Sequence, residues 1–149
     1  MKINRSAVSL TVEDVAASAA FFSEHLGFRE EMSADGFVSL GRPDAGLNVV
    51  LLRRGLEVLP EGFRDQHAAG LILAFTVDDA AGTETRLREA GAPITMPLCD
   101  EPWGERLFQT TDPNGVVVQF VEWLTPAGAT AGATVEAAAE TTAEAIAEA

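Results

Sequence analysis

The sequence predicts an α+β fold, two tandem βαβββ modules forming a curved mixed sheet around a cavity. Three observations predict it. An alternating strand pattern followed by a helical pattern occupies residues 7–27 and recurs over residues 71–91, with Asp14 and Gly27 bounding the first helix and Asp79 and Gly91 the second. Three further strand-like stretches follow each helix. Asp112-Pro113-Asn114-Gly115 suits a type I turn, and Val116-Val117-Val118-Gln119-Phe120-Val121 behind it is rich in β-branched residues.

Ala7 to Val12 sets Val8, Leu10 and Val12 against Ala7, Ser9 and Thr11, the alternation of a half-buried strand. Asp14 is placed to cap a helix whose apolar residues Val15, Ala19, Phe22 and Leu26 recur at helical spacing, and Gly27 closes it. Phe28 to Met32, Phe37 to Leu40 and Leu47 to Leu52 read as strands. Asp35-Gly36 and residues 41–46 are the turns between them. Arg53 to Gly70 has Pro60, Gly62 and no clean periodicity, and reads as a connector. The pattern then restarts with a strand from Leu71 to Val77 and a helix from Ala80 to Ala90. Strands at Pro93 to Met96, Arg106 to Thr110 and Val116 to Glu122 complete it, with Leu98 to Glu105 as a loop. The expected organisation is one domain over residues 1–124, with modules at about 6–52 and 70–124 and a connector at 53–69, then a tail over 125–149.

That tail is compositionally separate. It holds 11 alanines, no Lys or Arg, and Glu136, Glu140, Glu144 and Glu148 at a spacing of four. Alanine favours helix, and like charges four apart oppose it. The expectation is a marginal helix over Val135 to Ala147 with a solubilising or docking role.

Composition narrows the function. A chain of 149 residues that is 47% hydrophobic can bury a core without staples. The single cysteine, Cys99, allows no internal disulfide and no cysteine-based metal site. Its net charge of −13 disfavours nucleic acid. The N-terminal residues lack the apolar core of a secretion signal and no apolar run is long enough to span a bilayer, so a cytoplasmic location and no membrane partner are expected. On the first strand and the restart strand, one face is large and apolar and the other small (Ala7, Ser9, Thr11, Ala74, Thr76), with Ile72 the exception. Small residues on an inward face leave room for a ligand, unless a helix or a partner subunit fills it.

The two βαβββ units, the acidic pair before each helix and the Asp-Pro-Asn-Gly-Val-Val-Val-Gln-Phe stretch resemble the vicinal oxygen chelate superfamily. That group includes glyoxalase I, extradiol dioxygenases, fosfomycin-resistance enzymes and bleomycin-resistance proteins. The resemblance covers Ser6 to Trp123. It implies four metal-ligand positions, which fall here on Ala7, Val50, Ile72 and Gln119. Three of these have no donor atom, so no metal, cofactor or catalytic residue is expected. His25 and His67 lie in a helix and in the connector, away from those positions.

What remains resembles the metal-free antibiotic-binding branch, which sequesters a bulky drug in a groove shared across a dimer. The expected function is sequestration of a hydrophobic or aromatic natural product, such as an antibiotic, by a homodimer. The alternative is a lyase, isomerase or ring-cleaving dioxygenase of the same fold acting on a small molecule. The expected ligand-binding residues are Trp103, Gln119, Phe108, Ser9, Thr11, Asn48, Val50, Ile72 and Val117. Trp103, in a Pro-Trp-Gly loop, offers a flat apolar plate to a planar ligand, or else closes the sheet edge.

Overall fold

In the computed structural model, residues 1–124 are described, and the expected tail helix lies outside them. Among the described residues are two α-helices and eight strands. The first module runs β1 (Ala7–Val12), α1 (Val15–Leu26), β2 (Arg29–Ala34), β3 (Phe37–Gly41) and β4 (Asn48–Arg53). The second runs β5 (Ile72–Thr76), α2 (Ala80–Glu89), β6 (Ile94–Asp100), β7 (Glu105–Thr111) and β8 (Val117–Trp123). The connector holds one short 3-10 turn, Glu61–Phe63. The strands form two four-stranded sheets, ordered β1-β4-β3-β2 and β5-β8-β7-β6. The two tandem βαβββ modules expected from the sequence are present, each a four-stranded sheet of the same strand order. β1 pairs parallel with β4, while β3 runs antiparallel to both β4 and β2.

The helix boundaries follow the caps. Asp14 accepts from Ala17 N at 2.9 Å and Asp79 from Gly82 N at 2.8 Å, each satisfying an otherwise orphaned N–H. Gly27 takes a left-handed conformation, with φ 69°, and its N–H returns to Phe22 O. The large faces of the first strands lie in the core: Leu10, Val12, Phe22, Val49 and Leu51 are buried in the first module, and Leu73, Leu87, Phe108, Val118 and Phe120 in the second.

β6 is longer than expected, continuing through Pro97 to Asp100. Pro97 cannot donate to a ladder, but β6 is an edge strand, and the register slips between Met96 and Cys99. The expected loop shrinks to a tight turn, held by Glu101 N to Glu105 O at 2.7 Å and Gly104 N to Glu101 O at 3.0 Å.

The chain divides into two compact units, one of Met1–Leu73 with Thr111–Val117, the other of Ala74–Thr110 with Val118 onward. The first unit thus includes the Asp112–Gly115 turn, and the reason is chemical. Asn114 Oδ1 accepts from Asp14 N at 3.1 Å, and its Nδ2 donates to Asp14 O and to Ser18 Oγ. Ser18 donates in turn to the buried carboxylate of Asp112, which also accepts from Asn114 N and Val116 N. The turn is both the hairpin corner and a second cap on α1.

Candidate functional site

The parts of β7 and β8 that lie in the second unit, residues 105–110 and 118–123, set out the candidate surface. Asp112 N bonds Val116 O at 3.0 Å and Leu124 N bonds Gly104 O at 2.8 Å. These two bonds bracket the hairpin and place Gln109 opposite Gln119, Phe108 opposite Phe120 and Glu105 opposite Trp123. Phe108 stacks on Phe120 with ring centroids 5.1 Å apart, and both are buried. Alternation then puts Gln109 and Gln119 on the other face, away from this aromatic core. Gln109 Nε2 donates to Gln119 Oε1 at 2.8 Å in a half-buried position. Glu122 shares the face of Phe120 and caps α2, accepting from Ala80 N at 2.9 Å.

Trp103 stands in the Glu101–Gly104 turn, half-buried, and its indole N–H donates to Glu105 Oε2 at 2.7 Å. That bond satisfies the one polar group of the ring and leaves the apolar plate for other contacts. Asp100 pairs with both nitrogens of the Arg106 fork, at 2.6 and 2.9 Å, which holds its carboxyl below the usual range. Burial, reinforced by the Glu101 carboxylate, pushes the Cys99 thiol up, so this cysteine is a poor nucleophile. A pocket of about 480 Å³ opens beside this hairpin, lined by Thr76, Val77, Asp78, Glu122, Trp123 and Leu124.

In the first unit, the face away from α1 carries Ala7, Ser9 and Thr11 on β1. In register with them are Asn48, Val50 and Leu52 on β4. Ser9 is exposed and Val50 and Asn48 are partly so, whereas Thr11 is buried. A pocket of about 480 Å³ lies at the Asn48 end, with the charged residues Arg5, Arg29, Glu31 and Arg42 and also Gly41 and Leu47 in its lining. The bulge between Glu30 and Met32 brings Glu31 into this pocket. There its carboxylate accepts from Asn48 Nδ2 at 2.7 Å and Arg5 at 3.3 Å. Glu31 also lies over Gly41, where a Cβ would collide with its carboxylate.

The expected binding residues therefore separate. Ser9, Asn48, Val50 and the 52%-exposed Ile72 belong to the first unit, as does the partly exposed Val117. Trp103 and Gln119 belong to the second. Phe108 needs correction. It is fully buried in the stack with Phe120 and presents no surface to a ligand, because it is in phase with the core face of β7. Thr11, at 8% exposure, is nearly closed off as well. Sequence reasoning missed Gln109 and Trp123. The four-residue turn alone would pair 112 with 115 and set 109 against 118; the observed pairing of 112 with 116, with Gly115 at φ 87° as the extra residue, is what sets 109 against 119 and 105 against 123.

A family model described as the glyoxalase/bleomycin resistance protein/dioxygenase superfamily matches residues 3–120. The chain belongs to this superfamily. Among solved structures it is similar to a glyoxalase/bleomycin resistance protein/dioxygenase from Nocardioides, with a TM-score of 0.70 and 22% identity over 89% of each chain. It is also similar to TnmS3, an antibiotic binding protein from Streptomyces sp. CB03234, with a TM-score of 0.63 and 24% identity over 83% of this chain and 98% of that one. Lactoylglutathione lyase from Agrobacterium tumefaciens gives a TM-score of 0.63 and 19% identity over 78% and 91%. At these identities the likeness speaks for the fold. A search among curated proteins finds no match.

The superfamily's usual divalent metal does not fit the residues present. Ala7, Val50 and Ile72 have hydrocarbon side chains, and a single amide at Gln119 cannot replace several N, O or S donors. Among the described residues, no three His, Cys, Asp or Glu side chains are grouped to hold an ion elsewhere. His67 is committed to Glu13, with Nε2 2.9 Å from Oε1, and His25 lies edge-on to Phe21 in the last turn of α1. No helix among the described residues is long and apolar enough to cross a membrane.

Proposed function

We propose that this superfamily member is a metal-free small-molecule-binding protein that sequesters a hydrophobic or aromatic natural product, such as an antibiotic, without altering it. The observation that carries the reading is the partly exposed face of β7 and β8 in the second unit. It places an apolar indole plate, Trp103, and a half-buried amide pair on one hairpin, with no activated nucleophile or metal-ligating set beside them. TnmS3, an antibiotic binding protein, shows that this fold can serve sequestration. The lyase among its structural neighbours keeps an enzymatic alternative in view.

The functional form is a cytoplasmic homodimer in which a second copy covers the open sheet edges, since exposed edges are otherwise sites of uncontrolled pairing. Residues 1–124 act as the binding domain, and the tail over 125–149 is a solubilising appendage. Native mass spectrometry of the full chain against a panel of aromatic natural products tests the function. The expected result is a complex whose ligand is released with its mass unchanged. Release of a ligand of altered mass establishes catalysis instead.

A further inference from the structure

The Gln109–Gln119 pair defines the chemistry of the ligand more closely than an apolar plate does. Each amide carries one acceptor oxygen and one NH2 donor. A single N–H···O bond, Gln109 Nε2 to Gln119 Oε1 at 2.8 Å, consumes one donor and one acceptor. The Gln119 NH2 and the Gln109 carbonyl oxygen then have no partner among the described residues. Reversing both amides together exchanges the owners of the free groups but still leaves one NH2 and one C=O unpaired, and reversing one alone would break the bond.

The two amides are half-buried; Gln119 lies on its strand face between half-buried Val117 and buried Val121, with buried Leu107 beside Gln109. Polar groups left unmatched when a ligand covers such a surface cost more than a hydrogen bond returns. A purely hydrocarbon ligand would impose that cost twice. A carboxylate or a phosphate would satisfy the NH2 and repel the carbonyl, and a cation would do the reverse. The protein's charge of −13 further disfavours an anion.

We infer that the amide pair selects a neutral planar ligand carrying a hydrogen-bond donor and acceptor side by side: a lactam, imide or carboxamide attached to an aromatic system. The inference rests on the reading of this face as the binding surface. Gln109 and Gln119 set specificity, while Trp103 supplies the apolar contact.

Two probes separate the terms. 2-Quinolone is a planar lactam with adjacent N–H and C=O, and its N-methyl derivative keeps the ring and the carbonyl but loses the donor. Titration of the isotope-labelled full chain, followed by the side-chain NH2 and indole N–H signals, should show 2-quinolone binding about tenfold more tightly than the N-methyl compound. The NH2 signals of Gln109 and Gln119 should move with the lactam. Gln119→Glu, which replaces the free donor by an acceptor, should remove the preference. If that variant does not fold, the wild-type comparison of the two probes decides alone. Equal binding of both probes, with the Trp103 indole signal moving, overturns the amide selection and leaves the binding surface intact. No binding of either probe at millimolar concentration overturns both.

Discussion

The two modules share their strand order, their aspartate N-caps and their buried strand faces, yet they differ on both sides of the sheet. On the helix side, α1 buries Phe21, Phe22 and Leu26, whereas α2 is polar over most of its length and buries only Ala80 and Leu87. On the open side, the first module presents small hydroxyls and hydrocarbons with a charged pocket at one end. The second presents an amide pair and an indole. The duplicated frame keeps the strand order and the aspartate caps, while the helix packing and the free faces have both diverged.

The largest effect that would sharpen this contrast is in the first core. Phe22→Ala is expected to cost about 4 kcal/mol of unfolding free energy, against about 3 kcal/mol for Leu87→Ala, by urea titration. A larger loss from Leu87→Ala would show that the second module carries the core. Asp112→Ala removes the acceptor for Ser18 Oγ, Asn114 N and Val116 N together, and is expected to cost about 2.5 kcal/mol. Its effect should appear in hydrogen exchange at the start of α1, because Asn114 caps that helix. On the binding side, Gln119→Ala is expected to weaken ligand affinity by about 1 kcal/mol with the melting temperature little changed.

The smallest effect concerns acid. Pairing with Arg53, Arg42 and Arg106 holds Asp35, Asp44 and Asp100 below the usual carboxylate range, and His67 followed by Arg54 does the same for Glu13. A lowered folded pKa means that the contribution is complete above the unfolded pKa, roughly pH 4, and fades as pH falls through the folded value. Three of these four carboxylates, Glu13, Asp35 and Asp44, lie in the first unit. Amide exchange measured between neutral pH and about pH 3 should therefore show the first unit's turns loosening before the second's. All four are exposed pairs, so the change should be modest.

Much of this was legible in the sequence. Period-two alternation located the strands, Asp14 and Asp79 marked the helix starts, and the repeat gave the topology. Three things were not legible. Phe108 and Phe120 form a cross-strand stack, and only the hairpin register reveals that Phe108 points into the core. Pro97 looked like the end of a strand, because a proline is tolerated there only if the strand is an edge, and strand order is a tertiary fact. The bond between the Gln109 and Gln119 side chains depends on rotamers that spacing cannot supply. The candidate surface was thus half read: Trp103 and Gln119 were identified from residue type, and Gln109 and Trp123 emerged only from pairing.

The most direct test of ligand binding on the partly exposed face of β7 and β8 is a calorimetric titration of wild-type and Trp103→Ala chains. The ligand is the compound retained in the mass-spectrometric panel. The account predicts that Trp103→Ala loses on the order of 2 kcal/mol of affinity, roughly thirtyfold, while its melting temperature stays close to wild type. Normal affinity together with a much lower melting temperature would contradict it, and would make Trp103 the closing residue of the sheet edge.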